Sequence, residues 1–344
     1  MHIPHSRPCF DASYQEAVNQ VVSTCHTASG EEAQALERDL AECLQAEAVV
    51  AVDSGTSALM LAIKALQQSK DVQRVGIPSY ACASLLFAVR AAGCQPVFMD
   101  CNAHLRLDVD KAADMAASLD AVVLVHPFGM VEPLVSEAWP CPVIEDIAQA
   151  AGAAWEGRAL GDFGQMAIGS HYATKPWGGA YGGFVAGNSM SQLEAVRSMC
   201  DPDQGDFSQA YVGHHQLSDV HAALARRRLQ CAPEEMTQRH AWIRKMCSWL
   251  DKHPLMAPVQ GLDTGNGFRL IVRCITDAEA VIGKFRAQGV SAARPVQQPL
   301  HRAGEQWCEG AEAAWQQCVS LPVLVDMNDQ EAEWMERVIR SCVV

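Results

Sequence analysis

Residues 48–66 constrain the fold of this chain more tightly than any other stretch. Ala48-Val-Val-Ala-Val52 is an unbroken apolar run of strand length, Ser54-Gly55 interrupts it, and Leu59, Ile63 and Leu66 then recur along one face of a helix. A strand without polar alternation has both faces covered, as in parallel sheets flanked by helices. The pattern continues: residues 74–78, 96–100, 121–126 and 143–146 read as further strands with helices or loops between most of them, and 166–169 and 184–187 add two more. The chain is therefore predicted to be α/β with a mostly parallel central sheet. Ser29 and Glu32 have capping-box spacing ahead of Leu36, Leu40, Cys43 and Leu44, so a helix is expected over about 30–46.

Beyond residue 217 the pattern changes to helices at 218–230 and 234–252, a strand at 268–274, and helices at 277–288 and 327–339. This predicts a large domain over 1–217 and a smaller C-terminal α+β domain over 218–344, a division that 344 residues with 49% hydrophobic content can support. The formal net charge of −14 argues against nucleic-acid and anionic-membrane partners, which require a basic surface. The 14 cysteines contain no Cys-x-x-Cys pair, and the first residues show no basic leader with an apolar stretch. No apolar run approaches the ~18 residues needed to span a bilayer. A cytoplasmic protein with reduced thiols is expected.

Three separated segments carry the chemistry. Ser54-Gly-Thr-Ser57 opens a helix directly after a strand, so its free N–H groups and hydroxyls can hold a phosphate. Asp146 ends a strand within Glu145-Asp-Ile-Ala-Gln149, and Lys175 lies in a glycine-rich segment between apolar runs, an unusual setting for a lysine that merely meets solvent. An Asp at a strand end is by itself more often a cap or turn residue, and Ser-Gly-Thr is common in loops. In this order, however, the three supply what pyridoxal 5'-phosphate requires. The turn takes the phosphate, Asp146 stabilises a protonated ring nitrogen, and Lys175 forms an aldimine with the aldehyde. Lysine is needed rather than arginine, because a neutral amine must attack and later carry a proton.

The motif order resembles the DegT/DnrJ/EryC1/StrS family of fold-type I pyridoxal-phosphate enzymes, mostly sugar-nucleotide aminotransferases. The similarity spans nearly the whole chain, through Ser54-Gly-Thr-Ser-Ala-Leu59, Pro78-Ser-Tyr80, His126-Pro-Phe-Gly129, Glu145-Asp-Ile-Ala-Gln-Ala-Ala-Gly152, Gly161-Asp-Phe-Gly164, Ser170-His-Tyr-Ala-Thr-Lys175 and Ser218-Asp-Val-His-Ala-Ala223. The resemblance implies that Asp146 meets the pyridine nitrogen, Gln149 the ring hydroxyl and Lys175 the aldehyde carbon, while Thr56, Ser57 and Ser170 hold the phosphate, with Ser54 and Gly55 in the same turn. It also implies a homodimer with active sites at the subunit interface.

Several positions depart from the family pattern. Cys82 stands where many relatives stack an aromatic ring on the cofactor, so either Cys82 covers the ring with less area or a neighbour such as Tyr80 takes over. His214 occupies the place of the asparagine that reaches the partner's phosphate, Gln216 that of an arginine, and Tyr181 that of a glutamate. His214, His215 and His221 do not reproduce a metal-ligand spacing, so no metal is expected. Arg226, Arg227 and Arg228 read as a solvated or interface run, with a substrate-diphosphate contact as the alternative.

The expected function is transfer of an amino group from an amino acid, glutamate by family analogy, to a nucleotide-linked keto sugar. One alternative is sugar dehydration or deoxygenation on the same scaffold, for which relatives place a histidine where this chain keeps Lys175. The other is a protein that binds the cofactor for regulation without turnover.

Overall fold

A computed structural model describes residues 1–203, 208, 210–259, 261, 262 and 264–342. Helices α1 (Ala12–Ser23) and α2 (Glu31–Leu44) precede the first strand. The alternation runs β1 (Ala48–Val52), α3 (Gly55–Gln67), β2 (Arg74–Pro78), α4 (Ala83–Ala91), β3 (Gln95–Met99), α5 (Val109–Ala116), β4 (Ala121–Val125) and β5 (Val143–Asp146). A short hairpin, β6 (Ala154–Trp155) and β7 (Arg158–Ala159), leads to β8 (Met166–Ser170), β9 (Gly183–Gly187) and α6 (Met190–Ser198). The remainder contains α7 (Asp219–Leu250), β10 (Met256–Pro258), β11 (Leu270–Cys274), α8 (Ala278–Ala287), α9 (Glu309–Gln317), β12 (Cys318–Leu321) and α10 (Asp329–Ser341).

Among the described residues, seven strands form the central sheet in the order β1-β9-β8-β5-β4-β2-β3. Only β9 opposes the rest, pairing antiparallel with β8 and β1, so the expectation of a mostly parallel sheet holds. The reversal arises because the chain doubles back through residues 171–182 instead of crossing over by a helix. Register then brings distant residues to one rim. Val52 and Ser170 both pair with Gly183, and Asp146 pairs with Ile168, two residues before Ser170. Gly183 is needed at this crossing, since a Cβ there would lie 2.5 Å from Gly55 N and from Ser54 C. Gly182, at φ 132°, makes the turn into β9.

The antiparallel sheet β10-β11-β12 packs beneath α7, α8 and α9. Here the sequence expectation of two helices, at 218–230 and 234–252, is corrected: α7 is one helix of 32 residues that runs through Pro233. Proline removes one i→i−4 bond and crowds the preceding turn. Packing against α1 and α2 and an ion-pair clamp across the proline offset that loss. Glu235 receives Arg228 from one side of Pro233 and Arg239, at 3.1 Å, from the other, all three buried. Helix α1, strands β10 and β12, helix α9 and the β6–β7 hairpin were not read from the sequence.

The expected Ser29–Glu32 capping box is also corrected. Gly30 is the N-cap of α2 and has no side chain to offer, so Asp219 performs the capping from the start of α7. Its Oδ1 accepts from Gly30 N at 2.8 Å and Ala33 N at 3.0 Å. Glu32 instead pairs with Arg226 at 2.7 Å. Asp219 is buried and sits at the N-terminal ends of two helices at once, where its oxygens meet the positive poles of both. Asp219→Ala is expected to lower unfolding stability by about 1–2 kcal/mol, and Asp219→Asn, which keeps an acceptor oxygen, by roughly half that. Urea unfolding midpoints check this, and equal losses in the two variants would contradict a charge contribution.

Candidate active site

The carboxyl ends of β1, β5 and β8 open into a cavity of about 320 Å³. Eight of the ten expected site residues line it: Ser54, Gly55, Thr56, Cys82, Asp146, Gln149, Ser170 and Lys175. Ser57 and His214 do not. Ser57 is drawn into the cap of α3, where its N–H donates to Ser54 Oγ at 3.1 Å and its hydroxyl lies 2.9 Å from the same oxygen. His214 is exposed and lines no wall of this cavity.

Strand alternation gives two consecutive acids opposite jobs. Glu145, fully buried, accepts from Gly161 N at 2.6 Å, Phe163 N at 3.0 Å and Gly164 N at 3.3 Å, and from His126 Nε2 at 3.0 Å. His126 Nδ1 accepts from Glu132 N at 3.0 Å, so the neutral imidazole with its hydrogen on Nε2 satisfies both bonds. This network fixes the strand's end from behind. Asp146, the next residue, turns into the cavity with only 6% of its surface exposed. One oxygen accepts from Ala148 N at 2.9 Å, and the other has no partner among the described residues. Burial pushes its carboxyl above the usual range, opposed by the Ala148 N–H, Lys175 and His126.

Lys175 is half-buried, and its Nζ lies 5.5 Å from the centroid of the Phe268 ring. Desolvation lowers the pKa of its amine, while Asp146 and Cys82 pull the other way. The result is an amine biased toward its nucleophilic form beside a carboxylate with a free oxygen. Gln149 Oε1 accepts from Phe128 N at 3.0 Å, which leaves the amide nitrogen as a donor for the cavity. At the opposite end the first turn of α3 presents free N–H groups, with Thr56 exposed there and Ser170 Oγ within 3.3 Å of the position a Gly55 Cβ would take. A helix N-terminus flanked by hydroxyls suits an anion.

Tyr80 does not take over from Cys82: it is 2% exposed, its hydroxyl donates to Ala314 O at 3.3 Å, and its ring packs edge-on against Phe128. Cys82, at the N-cap of α4, stands on the cavity wall itself. The three histidines do not converge. His215 Nδ1 lies 3.3 Å from Asp53 and its Nε2 2.7 Å from the Tyr211 hydroxyl, while His221 meets Ser218 at 3.0 Å. The arginine run fans out by helical rotation: Arg226 pairs with Glu32 and Asp39, Arg227 meets Ser13, and Arg228 is tied to Glu235. None of them lines the main cavity. His171, the nearest histidine to Lys175 in sequence, is buried, donates Nδ1–H to Trp177 O at 2.8 Å and does not line this cavity, with its Nε2 enclosed and unpartnered among the described residues.

Sequence reasoning missed Tyr172, Ser84, Leu59 and Leu85 as wall residues. Tyr172 and Tyr181 form an edge-to-face pair at the mouth, with ring centroids 5.7 Å apart and 48% and 60% exposure. Two exposed tyrosines within ten residues of a glycine-rich lysine loop were the signal available.

The chain belongs to the DegT/DnrJ/EryC1/StrS aminotransferase family, whose model matches residues 8–341. The resemblance read from the motif order is thereby borne out. The UDP-N-acetyl-3-dehydro-alpha-D-glucosamine 3-aminotransferase of Acidithiobacillus ferrooxidans is 24% identical over 90% of this chain and 88% of its own length. A dTDP-3-amino-3,4,6-trideoxy-alpha-D-glucose transaminase of Micromonospora megalomicea is 28% identical over 72% and 70%. The crystal structure of the aminotransferase TlmJ from Streptoalloteichus hindustanus superposes with a TM-score of 0.91 at 24% identity, covering 99% of each chain, which establishes the fold.

The electrostatics predict a titration. Because burial lowers the Lys175 pKa, competitive acetylation of the cofactor-free protein, read by peptide mass spectrometry, should show Lys175 becoming reactive at lower pH than exposed lysines. Asp146→Asn removes the charge that favours the ammonium, so the midpoint should fall further. A midpoint that rises in that variant would contradict the pairing.

Proposed function

We propose that this chain transfers an amino group from an α-amino acid, glutamate by family analogy, to the keto carbon of a nucleotide-linked sugar, with pyridoxal 5'-phosphate as its cofactor. The carrying observation is one cavity that joins a lysine biased toward its neutral form, a buried carboxylate with an unpartnered oxygen, and a helix N-terminus. The residues fit the cofactor. The free Asp146 oxygen would hold a protonated ring nitrogen and the Gln149 amide nitrogen the ring hydroxyl. The phosphate would meet Thr56, Ser170 and the first turn of α3, with Ser57 acting through the cap of Ser54.

When bound, the cofactor supplies an electron-poor ring that acidifies the donor's Cα–H. Lys175 Nζ accepts that proton, which only its neutral form can do, and returns one when the acceptor sugar is aminated. Asp146 keeps its charge through the ring nitrogen's, and Leu59, Leu85 and Ile168 exclude water from the wall. The names of both relatives put the amine on sugar carbon 3, which supports 3-keto sugars as the first acceptors to try. We read the exposed His214 as available to a partner subunit in a homodimer, and the step from Leu217 to Ser218 as the domain division. A histidine-dependent dehydration has no support in the placement of His171.

The test is incubation of the cofactor-loaded protein with glutamate and a panel of nucleotide-linked keto sugars, with amine formation followed by mass spectrometry. Wild type should aminate at least one sugar, and borohydride should fix the cofactor to the peptide holding Lys175. Lys175→Ala should lose both outcomes, and Asp146→Asn should keep cofactor yet slow turnover by roughly 10²-fold or more. A glutamate-inert wild type that retains cofactor would instead favour a binding role without turnover.

A further inference from the structure

The loop that carries Lys175 is closed on itself. Lys175 N–H donates to Tyr172 O at 2.8 Å, Gly178 N–H to Lys175 O at 2.9 Å and Gly179 N–H to His171 O at 3.0 Å. The loop also lies directly on helix α7, where a Cβ on Gly179 would stand 2.7 Å from Ala225 N. Glycines at the point of contact offer no side chain to grip the helix, so the helix supplies the grip. Arg228, three residues beyond Ala225, donates its Nε–H to Gly178 O at 3.0 Å.

The guanidinium that makes this bond is held on every side. Its Nη1 pairs with Glu235, and its Nη2 donates to Cys9 O at 2.8 Å in the N-terminal segment, so each of its three nitrogens has a different partner. The Phe10 and Tyr14 rings stand 5.7 and 5.5 Å from its Cζ, and only 3% of the residue is exposed. A planar fork fixed at three points resists rotation, which makes it a rigid post between α7, the N-terminal segment and the lysine loop. An arginine that only bridged Pro233 would need its bond to Glu235 and nothing more. Arg239 is such a residue: it meets the same carboxylate at 3.1 Å and makes no hydrogen bond to the loop among the described residues.

We propose that Arg228 is a positioning residue for Lys175: by holding the Gly178 carbonyl it fixes the loop, and with it the depth at which the lysine side chain enters the cavity. That Lys175 acts on the cofactor rests on the transamination reading, whereas its placement by Arg228 does not. Desolvation is the largest influence on the Lys175 amine and lowers its pKa, with Arg269 acting in the same direction and Asp146 and Cys82 against it. A loosened loop would admit water, so the pKa should rise toward that of an ordinary lysine.

Competitive acetylation of the cofactor-free protein reads the Lys175 midpoint, and hydrogen–deuterium exchange reads the loop. Arg228→Lys keeps the charge for Glu235, but one nitrogen cannot serve three separated partners. It should raise the Lys175 midpoint by about half a pH unit or more and speed exchange in the peptide covering 171–180 by about tenfold. Arg228→Gln should move both further. Arg239→Lys, which loosens the same ion-pair clamp, should leave both as in wild type. In the cofactor-loaded protein, Arg228→Lys should lower kcat by about tenfold while KM for either substrate stays within about twofold. Circular dichroism and thermal melting verify folding, and Arg228→Lys alone carries the comparison if Arg228→Gln does not fold. An unchanged Lys175 midpoint and unchanged loop exchange in folded Arg228→Lys, or equal changes in Arg239→Lys, would overturn the positioning role. A raised midpoint with faster loop exchange in a protein that aminates no sugar would reject the transamination reading and leave the positioning role standing.

Discussion

A carboxylate and an amine share one poorly solvated cavity, and the surroundings push both toward their uncharged forms. Their mutual attraction opposes that push without reversing it. Lys175 is thereby disposed to lose its proton, and Asp146 to hold charge best when a cation sits against its free oxygen. Such a balance is sensitive to position, because a charge interaction in a low-dielectric setting changes steeply with distance. The sheet supplies the position: Gly183 ties β1 to β8 at one level, and β5 pairs with β8 just below it.

What holds Asp146 in place lies on the other face of its strand. Four hydrogen bonds converge on the Glu145 carboxylate, which binds the end of β5 to His126 and to the loop at 161–164. A buried carboxylate that satisfies three backbone donors and an imidazole hydrogen is committed to structure, and its neighbour is thereby freed for chemistry. The N-terminal segment acts similarly at longer range. His5 and Ser6 orient Arg269, Ile3 bridges to Val290, and α1 and α2 pack along α7, so the chain's first residues reach both sheets.

The strands, the cavity and most of its wall were legible because each depends on local signals: apolar runs of strand length, a serine–glycine break, and an acid or lysine at a strand's end. The observed bounds of β1, β2 and β5 match the expected ranges. What could not be read depends on partners far along the chain. Nothing near Gly30 announces that Asp219, 189 residues on, will cap its helix. Pro233 looked like a stop because the Arg228–Glu235–Arg239 clamp that bridges it is invisible to propensity. Ser57 matched a motif, yet one hydrogen bond to Ser54 decides which way its hydroxyl faces. Tyr80 had the right chemistry to replace an aromatic at Cys82, but its side chain is spent on Ala314 and Phe128.

The departures share a direction. With Cys82 on the wall where relatives carry a ring, less apolar area is available to grip a flat cofactor, and its retention would lean more on the α3 turn and on Asp146. The exposed aromatic surface lies at the mouth, in the Tyr172–Tyr181 pair. Arg269 lines the neighbouring cleft together with Lys175. On the proposed reading, the cavity has a cofactor floor built from backbone and small polar groups and a mouth that is large and aromatic. On that reading, substitutions in the floor should act on cofactor retention, and those at Tyr172 and Tyr181 on substrate choice, because the two tyrosine rings stand exposed on the cavity's lining.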